Sequence, residues 1–270
     1  MQTPDISSIA LIAGSLILIV PILINMFFRL GLFRSMLSAV VRMSLQLILI
    51  GIFLKYLFQY NYAWLNSLWL LIMIVVAAHN VVTKILVSMG KLIAIVFFAL
   101  MISTVSILLL FNWLLLDLSN VLDARYLIVI GGMLLGNSLR SDIVGLDNFF
   151  RSIKRNENRY LYRLASGATQ IEALVPYFRN SLVSAFQPTL ATMATMGIVF
   201  LPGMMTGQIL GGVSPILAIK YQIAIMIAIF ASTALTVVLT LLFGLKICFN
   251  DLGAIDKTVF IDKKIKGSIK

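Results

Sequence analysis

The sequence predicts an all-α integral membrane protein, and two observations lead to that prediction. Hydrophobic residues make up 61% of the 270 residues and charged residues only 11%, whereas charged residues make up about 25% of a soluble globular domain. Apolar runs of about 20 residues, enough to cross the hydrocarbon of a bilayer, recur along most of the chain. Because lipid offers no partner to a backbone N–H or C=O, these runs are expected to be helices.

About seven membrane spans are expected, at residues 7–28, 41–59, 64–82, 92–114, 124–140, 187–212 and 216–246. The first residues, MQTPDISS, lack the basic stretch that begins a signal peptide, so the first apolar run is expected to be a permanent span. We find no internal repeat and no extramembrane region long enough for a second domain. Residues 1–270 are therefore expected to form a single transmembrane domain.

The basic residues predict the orientation of the chain. Four segments, 29–42, 83–91, 140–180 and 246–270, contain 18 of the 21 Lys and Arg. Cytoplasmic loops carry the excess of Lys and Arg in membrane proteins, so we expect the N-terminus outside the cell and the C-terminus in the cytoplasm. The membrane is expected to be the inner (cytoplasmic) membrane of the cell. The same loops, next to anionic lipid headgroups, explain the net charge of +11 without nucleic-acid binding.

A cytoplasmic helix-turn-helix loop is expected at residues 141–186, between spans five and six. Apolar residues recur at helical spacing up to Ala165, which predicts a cytoplasmic extension of span five. Gly167 suits a sharp turn, and Thr169 to Glu172 match a capping box that begins a new short helix. Pro176 then stands where that helix should end or kink, or where the next should begin.

The stretch FLPGMMTGQILGG, residues 200–212, interrupts the apolar pattern of span six. Gly203, Gly207 and Gly211 are four residues apart, which predicts a close approach of another helix, in this subunit or in a second copy. Gly132 and Gly136 form a second such pair in span five. We expect Pro202 to kink the outer half of span six, and Thr206 and Gln208 to line or gate a pathway, although plain packing explains these residues equally well.

Several polar or sulfur-bearing side chains within the spans are candidate pathway or metal-binding residues. The only histidine, His79, and its neighbour Asn80 are near the end of span three, where a histidine usually faces the bundle interior. Imidazole and thioether groups bind transition metals, so His79, Met204 and Met205 are metal-ligand candidates, against interhelical hydrogen bonding and core filling. Further polar side chains within or at the ends of spans could line the pathway or bond between helices: Asn137, Ser138, Asp142 and Gln46.

The sequence lacks the motifs expected of a membrane enzyme, an ATPase or a stand-alone secondary transporter. No H-E-x-x-H motif and no pair of carboxylates within a span is present, which argues against a membrane enzyme. The segment SMGKLIAI contains Gly90 and Lys91 but not the rest of a phosphate-binding loop, so the chain is not itself an ATPase. A stand-alone secondary transporter would usually show inverted repeats or ionisable residues at the middle of the membrane.

Three segments, GGMLLGNSLRSDIVGLDNFF, LASGATQIEAL and LPGMMTGQILGGVSPILAIKYQIAIM, closely resemble the FetB (YbbM) family of iron-export ABC transporter permeases. Plant aluminium-tolerance permeases belong to the same group. The resemblance covers nearly the full length and is strongest from Gly131 to Met226. It implies a permease domain that exports iron, another metal or a metal chelate.

The resemblance also implies partners. ATP and Mg would be bound by a separate cytoplasmic ABC ATPase, with no cofactor on this chain, and two copies of this chain would form a homodimer. The 141–186 loop would dock the ATPase, through Arg163, Leu164, Gly167, Ala168, Thr169, Glu172 and Arg179. Some plant relatives are linked to nucleotide sugars, so a non-metal solute and a stand-alone transporter remain the alternatives.

Overall fold

The computed structural model describes residues 7–85, 89–118 and 120–248. Within these ranges the chain is helical apart from turns and one isolated backbone bridge between Met196 and Phe200. The helices are α1 (Ser8–Gly14), α2 (Ile19–Phe27), α3 (Phe33–Tyr60), α4 (Ala63–Lys84), α5 (Met89–Leu110), α6 (Ala124–Arg155), α7 (Glu157–Ala165), α8 (Gln170–Thr195), α9 (Gly203–Leu210) and α10 (Pro215–Cys248). A 3₁₀ turn (Ser15–Leu18) joins α1 to α2, and a π-helical turn (Phe111–Leu115) ends α5.

Six stretches of the described residues are long and apolar enough to cross a membrane. They are Ile9–Phe27, Phe33–Tyr60, Ala63–Lys84, Leu92–Leu115, Ala124–Arg155 and Pro215–Leu245. They correspond to six of the seven expected spans, and the expected span at 187–212 is not among them. The chain is therefore a multi-pass, all-helical membrane protein with six such helices in its described part.

The sixth expected span, 187–212, is not one helix, because its residues belong to two helices, α8 and α9, with a break between Thr195 and Gly203. The short helix predicted after Gly167 and the first half of the span form one continuous helix, α8, which passes through Pro176 and Pro188. Each proline removes one backbone donor, but α8 packs against both α6 and α10, and this packing holds the helix together. The expected kink at Pro202 is wrong as well, because this proline is the N-cap of α9 and interrupts no helix.

The core of the molecule is a bundle of α4, α5, α6, α8 and α10 around α6. α6 packs against the other four helices. Its buried side chains recur at helical spacing and include Leu127, Leu134, Leu146 and Phe149. The long α6, followed after Asn156 by α7, confirms the predicted extension of span five.

The first helices lie largely outside this core. α3 has 28 residues, yet Leu57, near its end, is its only fully buried one. α3 touches α6 only lightly, and the membrane-spanning window of Ile9–Phe27 is 6% buried. One face of the bundle is therefore left open beside α3.

A polar cluster joins the α3–α4 turn to the beginning of α6. Asn61 ends α3 in the left-handed conformation, with φ of 46°. Its amide donates to Asp123 Oδ2 at 3.0 Å, and its Oδ1 accepts from the backbone N–H of Ala124 at 2.8 Å. Asn66 is fully buried and donates to both Asn61 Oδ1 and the carbonyl of Leu122. These bonds fix the ends of α3, α4 and α6 relative to one another.

The closest helix packing occurs at Gly131 and Gly145, which were not predicted, and of the predicted glycines only Gly132 comes close to another described helix. A Cβ on Gly131 would lie 3.0 Å from Leu70 Cδ1, and a Cβ on Gly145 would lie 3.0 Å from Val237 Cγ1 and 3.3 Å from Ala185 Cβ. A Cβ on Gly136, Gly203 or Gly207 would meet nothing within 4 Å, one on Gly132 would meet the Met73 side chain, and one on Gly211 would meet only its own helix. The predicted close approach at Gly203 and Gly207 is therefore not made within this chain.

Gly145→Ala is expected to lower the free energy of unfolding by about 1–3 kcal/mol, because the new methyl group would overpack the junction of α6, α8 and α10. Gly136→Ala, on the same helix with open space around it, is the matched control and should not destabilise. Thermal unfolding of the two variants in detergent measures the difference. Equal midpoints would show that the α6 junction tolerates a methyl group.

Candidate functional site

The turn between α7 and α8 has the geometry predicted for it. Gly167 has φ of +90°, a conformation that favours glycine, and its N–H donates to the carbonyl of Leu164 at 3.0 Å. Thr169 caps α8, since its hydroxyl accepts from the N–H of Glu172 at 3.3 Å. The Glu172 carboxylate returns the contact, accepting from the N–H of Thr169 at 2.8 Å. The capping box is thus confirmed.

Exposed apolar side chains surround this turn. Tyr162 is 73% exposed and Ile171 is 72% exposed, and Leu161 and Val175 lie beside them. We call these four residues the α7–α8 patch. The opposite side of each helix is buried, because Tyr160, Ala173, Leu174 and Tyr177 contribute to the core, and burial raises the pKa of the Tyr160 hydroxyl. The turn is therefore held firmly while it presents an apolar surface outside the bundle.

The residues predicted for this loop take different parts in it. Leu164 packs against the core, and Thr169 and Glu172 are engaged in the cap. Arg163 is partly buried, Ala168 is partly buried, and Arg179 is exposed. The four patch residues were missed, although the spacing of Ile171 and Val175, four apart in α8, was a usable signal.

A cavity of about 710 Å³ lies between α3, α4 and α6. Apolar side chains form most of its wall, and Gln46, Asn80, Gly132 and Gly136 are also in it. Asn80 is exposed and lines this cavity, which is open beside α3. His79 is exposed on α4 and does not line the cavity, so the expectation that it faces the bundle interior is wrong for this chain.

The predicted metal ligands are not brought together. His79 lies toward the end of α4, 16 residues after Ala63, whereas Met204 and Met205 are in α9, which packs on α10. Met205 is buried and Met204 is partly buried. The described residues contain no group of three or more His, Cys, Asp or Glu side chains that could hold a metal ion.

The other predicted pathway residues have local partners. Thr206 donates to the carbonyl of Pro202 at 3.0 Å, and Asn137 donates to the carbonyl of Met133 at 2.8 Å, both within one turn of helix or its cap. Gln208 has a buried Oε1 without a partner. Ser138 is fully buried and reaches across to Ser232 on α10 at 3.2 Å. Of this set, Ser138 makes the contact between helices.

Ser138 is part of a ladder of buried polar side chains that joins α5, α6 and α10. Ser103 on α5 is hydrogen-bonded to Thr236 on α10, and the Thr240 hydroxyl donates to Asp142 Oδ2 on α6 at 3.2 Å. Six residues make up this ladder, and each is 0% exposed: Ser103, Ser138, Asp142, Ser232, Thr236 and Thr240. Of these six, sequence reasoning named Ser138 and Asp142 as candidates, but the spacing of Ser232, Thr236 and Thr240 by four was also visible in α10.

Asp142 is the only ionisable side chain in the ladder, and its Oδ1 has no hydrogen-bond partner. No ion pair reaches Asp142 among the described residues, whereas Asp147, five residues on, pairs with Arg151 at 2.7 Å. An unsatisfied buried polar group costs about 1–3 kcal/mol, and more if it is charged. In a transmembrane helix such a carboxyl is expected to have a functional role.

The Glu172 cap predicts how the α7–α8 turn responds to pH. Hydrogen bonds from the Thr169 N–H, and then from its hydroxyl, lower the pKa of Glu172 below its usual value. The stabilising effect is therefore present above the pKa of the unfolded chain and is lost as pH falls through the lower folded pKa. We expect acid to loosen the turn in the wild type, measured by proteolysis between α7 and α8.

Glu172→Gln is the control for that measurement, because glutamine also completes a capping box but does not titrate. Its turn should be cleaved at a rate that is independent of pH once the pH dependence of the protease is subtracted. The same acid response in Glu172→Gln and the wild type would contradict a role for this carboxylate.

Comparison with known proteins agrees with a membrane permease. Residues 8–249 match the profile of the uncharacterised protein family UPF0014. The probable iron export permease protein FetB of Escherichia coli is 30% identical over 240 residues, which are 88% of this chain and 91% of that protein. Protein ALUMINUM SENSITIVE 3 of Arabidopsis thaliana is 34% identical over 218 residues, 79% of this chain and 77% of that protein.

A third relative, the UPF0014 membrane protein YjkA of Bacillus subtilis, is 32% identical over 213 residues, 78% of this chain and 83% of that protein. No solved structure gives a significant match. The profile covers most of the chain, and the relatives cover more than two thirds of it. The chain therefore belongs to the UPF0014 family of multi-pass membrane proteins.

Proposed function

We propose that this chain is the permease subunit of an ABC transporter that exports iron or another metal from the cytoplasm. The observation on which the proposal rests most is the α7–α8 patch, an exposed apolar surface held by a rigid turn outside the membrane bundle. Patches of this kind are typical of sites that bind another protein. The similarity to the probable iron export permease protein FetB supports iron as the substrate and export as the direction.

The partner at the patch is a cytoplasmic ABC ATPase that binds ATP and Mg. The patch lies within the segment 140–180, which is rich in Lys and Arg and by the positive-inside rule lies on the cytoplasmic side. With α8 as a seventh crossing, between this segment and α10, the N-terminus is outside and the C-terminus inside the inner membrane. A soluble ATPase reaches the patch from this side.

Helix α8 transmits the movement of the ATPase. It is continuous for 26 residues, about 39 Å at 1.5 Å per residue, from the patch to the turn at Met196. It packs against α6 and α10, with its buried side chains between Ala173 and Thr189. A displacement at Ile171 therefore moves the far end of α8 and the segment that leads to α9, where the pathway opens to the outside.

Two copies of the chain assemble around the pathway. The open face beside α3, with the cavity of about 710 Å³ that Gln46 and Asn80 line, is the surface where the second copy packs. Polar side chains in a membrane-facing cavity favour contact with protein or water over contact with lipid. The unpacked α3 and the unfilled space at Gly136 support this arrangement.

ATP-dependent uptake of radioactive iron into inside-out vesicles tests the proposal directly. Uptake is expected only when this chain and its ATPase are both present and ATP is supplied. ATP hydrolysis without iron uptake would keep the ABC permease and replace the substrate by another metal or a non-metal solute. Iron uptake that needs neither ATP nor the second chain would overturn the proposal in favour of a stand-alone transporter.

Ile171→Ser tests the docking surface. Removing this apolar side chain from the patch is expected to weaken binding of the ATPase about tenfold or more, as for a central interface residue. Co-purification and ATPase stimulation measure the loss. Ile198→Ser is the matched control, because Ile198 is 90% exposed at the opposite end of α8 and should leave the ATPase bound. Equal losses in both variants would refute the patch.

A further inference from the structure

Asp142 lies inside the helix bundle, near the cytoplasmic end of the membrane-spanning part of α6. It is 18 residues after Ala124, the first residue of α6, which corresponds to about 27 Å along the helix. The hydrocarbon of a bilayer is about 30 Å thick. Its side chain points into the bundle toward α10 and is 0% exposed.

The surroundings of Asp142 leave part of the carboxyl without a partner. Thr240 donates to Oδ2 at 3.2 Å, and Oδ1 accepts no hydrogen bond. No ion pair reaches the carboxyl from the part of the chain that the structure describes. A buried carboxylate is stable only with a proton or with a cation beside it.

The polar groups around Asp142 are oxygens. Ser138 lies one helical turn before it on α6 and pairs with Ser232, and Thr240 contacts the carboxyl directly. The Met196 thioether accepts a contact from Gln222 at 3.7 Å. Gln222 lies toward the other end of α10 from Thr240, so this thioether is not beside Asp142. Carboxylate and hydroxyl oxygens favour hard cations such as Mg²⁺, Ca²⁺ and Mn²⁺ over soft ones.

Three helices, α6, α8 and α10, are closely packed next to Asp142. Gly145 is one turn beyond Asp142, where α6, α8 and α10 meet within contact distance. Because α8 begins at the α7–α8 patch, a movement of α8 acts on the junction beside the carboxyl. Access to Asp142 is thereby linked to the position of α8.

We propose that Asp142, with the Thr240 hydroxyl and the Ser138–Ser232 pair, forms a binding site for a hard, oxygen-preferring cation inside the helix bundle of each subunit. The site has one carboxylate, so it binds weakly and releases its ion, as a transport site must. Its place in metal export rests on the proposed function, whereas cation binding itself does not.

Equilibrium dialysis of the purified full chain in detergent, with Mn²⁺ alone as the probe, tests the site. The wild type is expected to bind Mn²⁺ saturably at one ion per chain, and an excess of the soft ion Ag⁺ should not displace it. Asp142→Asn, which keeps the shape of the side chain, should lose this binding. Thr240→Val should weaken binding about tenfold, as for other residues that orient a ligand.

Two variants are matched controls. Asp147→Asn removes a carboxylate from the same helix that already has a partner, Arg151. Thr233→Val removes a buried hydroxyl of α10 that has no partner. Both should bind Mn²⁺ like the wild type. Absence of saturable binding in the wild type, displacement by Ag⁺, or normal binding by Asp142→Asn would overturn the site.

A purely structural role gives a different result from a binding role. If the Asp142–Thr240 contact only holds α6 to α10, Asp142→Asn changes the unfolding temperature of the metal-free protein and leaves Mn²⁺ binding intact. Failure of iron uptake by wild-type vesicles would reject iron as the substrate in the proposed function, while the dialysis result still decides the site. Normal iron uptake with normal Mn²⁺ binding in Asp142→Asn would reject the site alone.

Discussion

A bilayer provides no hydrogen-bond partners, and the core of this protein depends on polar side chains that meet that constraint by pairing with one another. The ladder from Ser103 through Thr236 and from Ser138 to Ser232 joins α5, α6 and α10 where hydrophobic burial alone gives little preference between helix and lipid. Interhelical hydrogen bonds and close packing at Gly131 and Gly145 then determine which helices are neighbours. α6 is the centre of the bundle because it takes part in the interhelical hydrogen bonds and also carries the two closely packed glycines.

The same constraint explains why the two ends of the molecule differ. At one end, Asn61, Asn66 and Asp123 satisfy the helix ends with side-chain bonds, and this produces a fixed junction of α3, α4 and α6. At the other end, the α7–α8 turn extends beyond the bundle and exposes Tyr162 and Ile171, where a soluble partner can reach them. A rigid helix, α8, connects the exposed turn to the core. This arrangement suits a membrane subunit that is moved by another protein.

Local sequence patterns predicted the helices well and the helix junctions unevenly. Six of the seven spans, the long extension after Ala124, the turn at Gly167 and the Thr169–Glu172 cap all depend on hydropathy or on a few adjacent residues, and the structure has them. Pro176 does not end its helix because α8 packs against α6 and α10 on either side of it, and Pro202 makes no kink because it lies between two helices. Gly203 and Gly207 meet no other described helix, because spacing shows which residues share a face but not what faces them.

The sequence by itself determined that this is a multi-pass helical membrane protein, because the abundance and length of its apolar runs leave no other structure stable in lipid. The sequence also determined the protein family, because residues 8–249 match the UPF0014 profile. Only the tertiary structure decided that Asp142 meets Thr240, that His79 faces outward and that Ile171 is exposed beside a rigid turn. These contacts join residues up to 98 positions apart, and the packing of helices against one another, which no local pattern records, creates them.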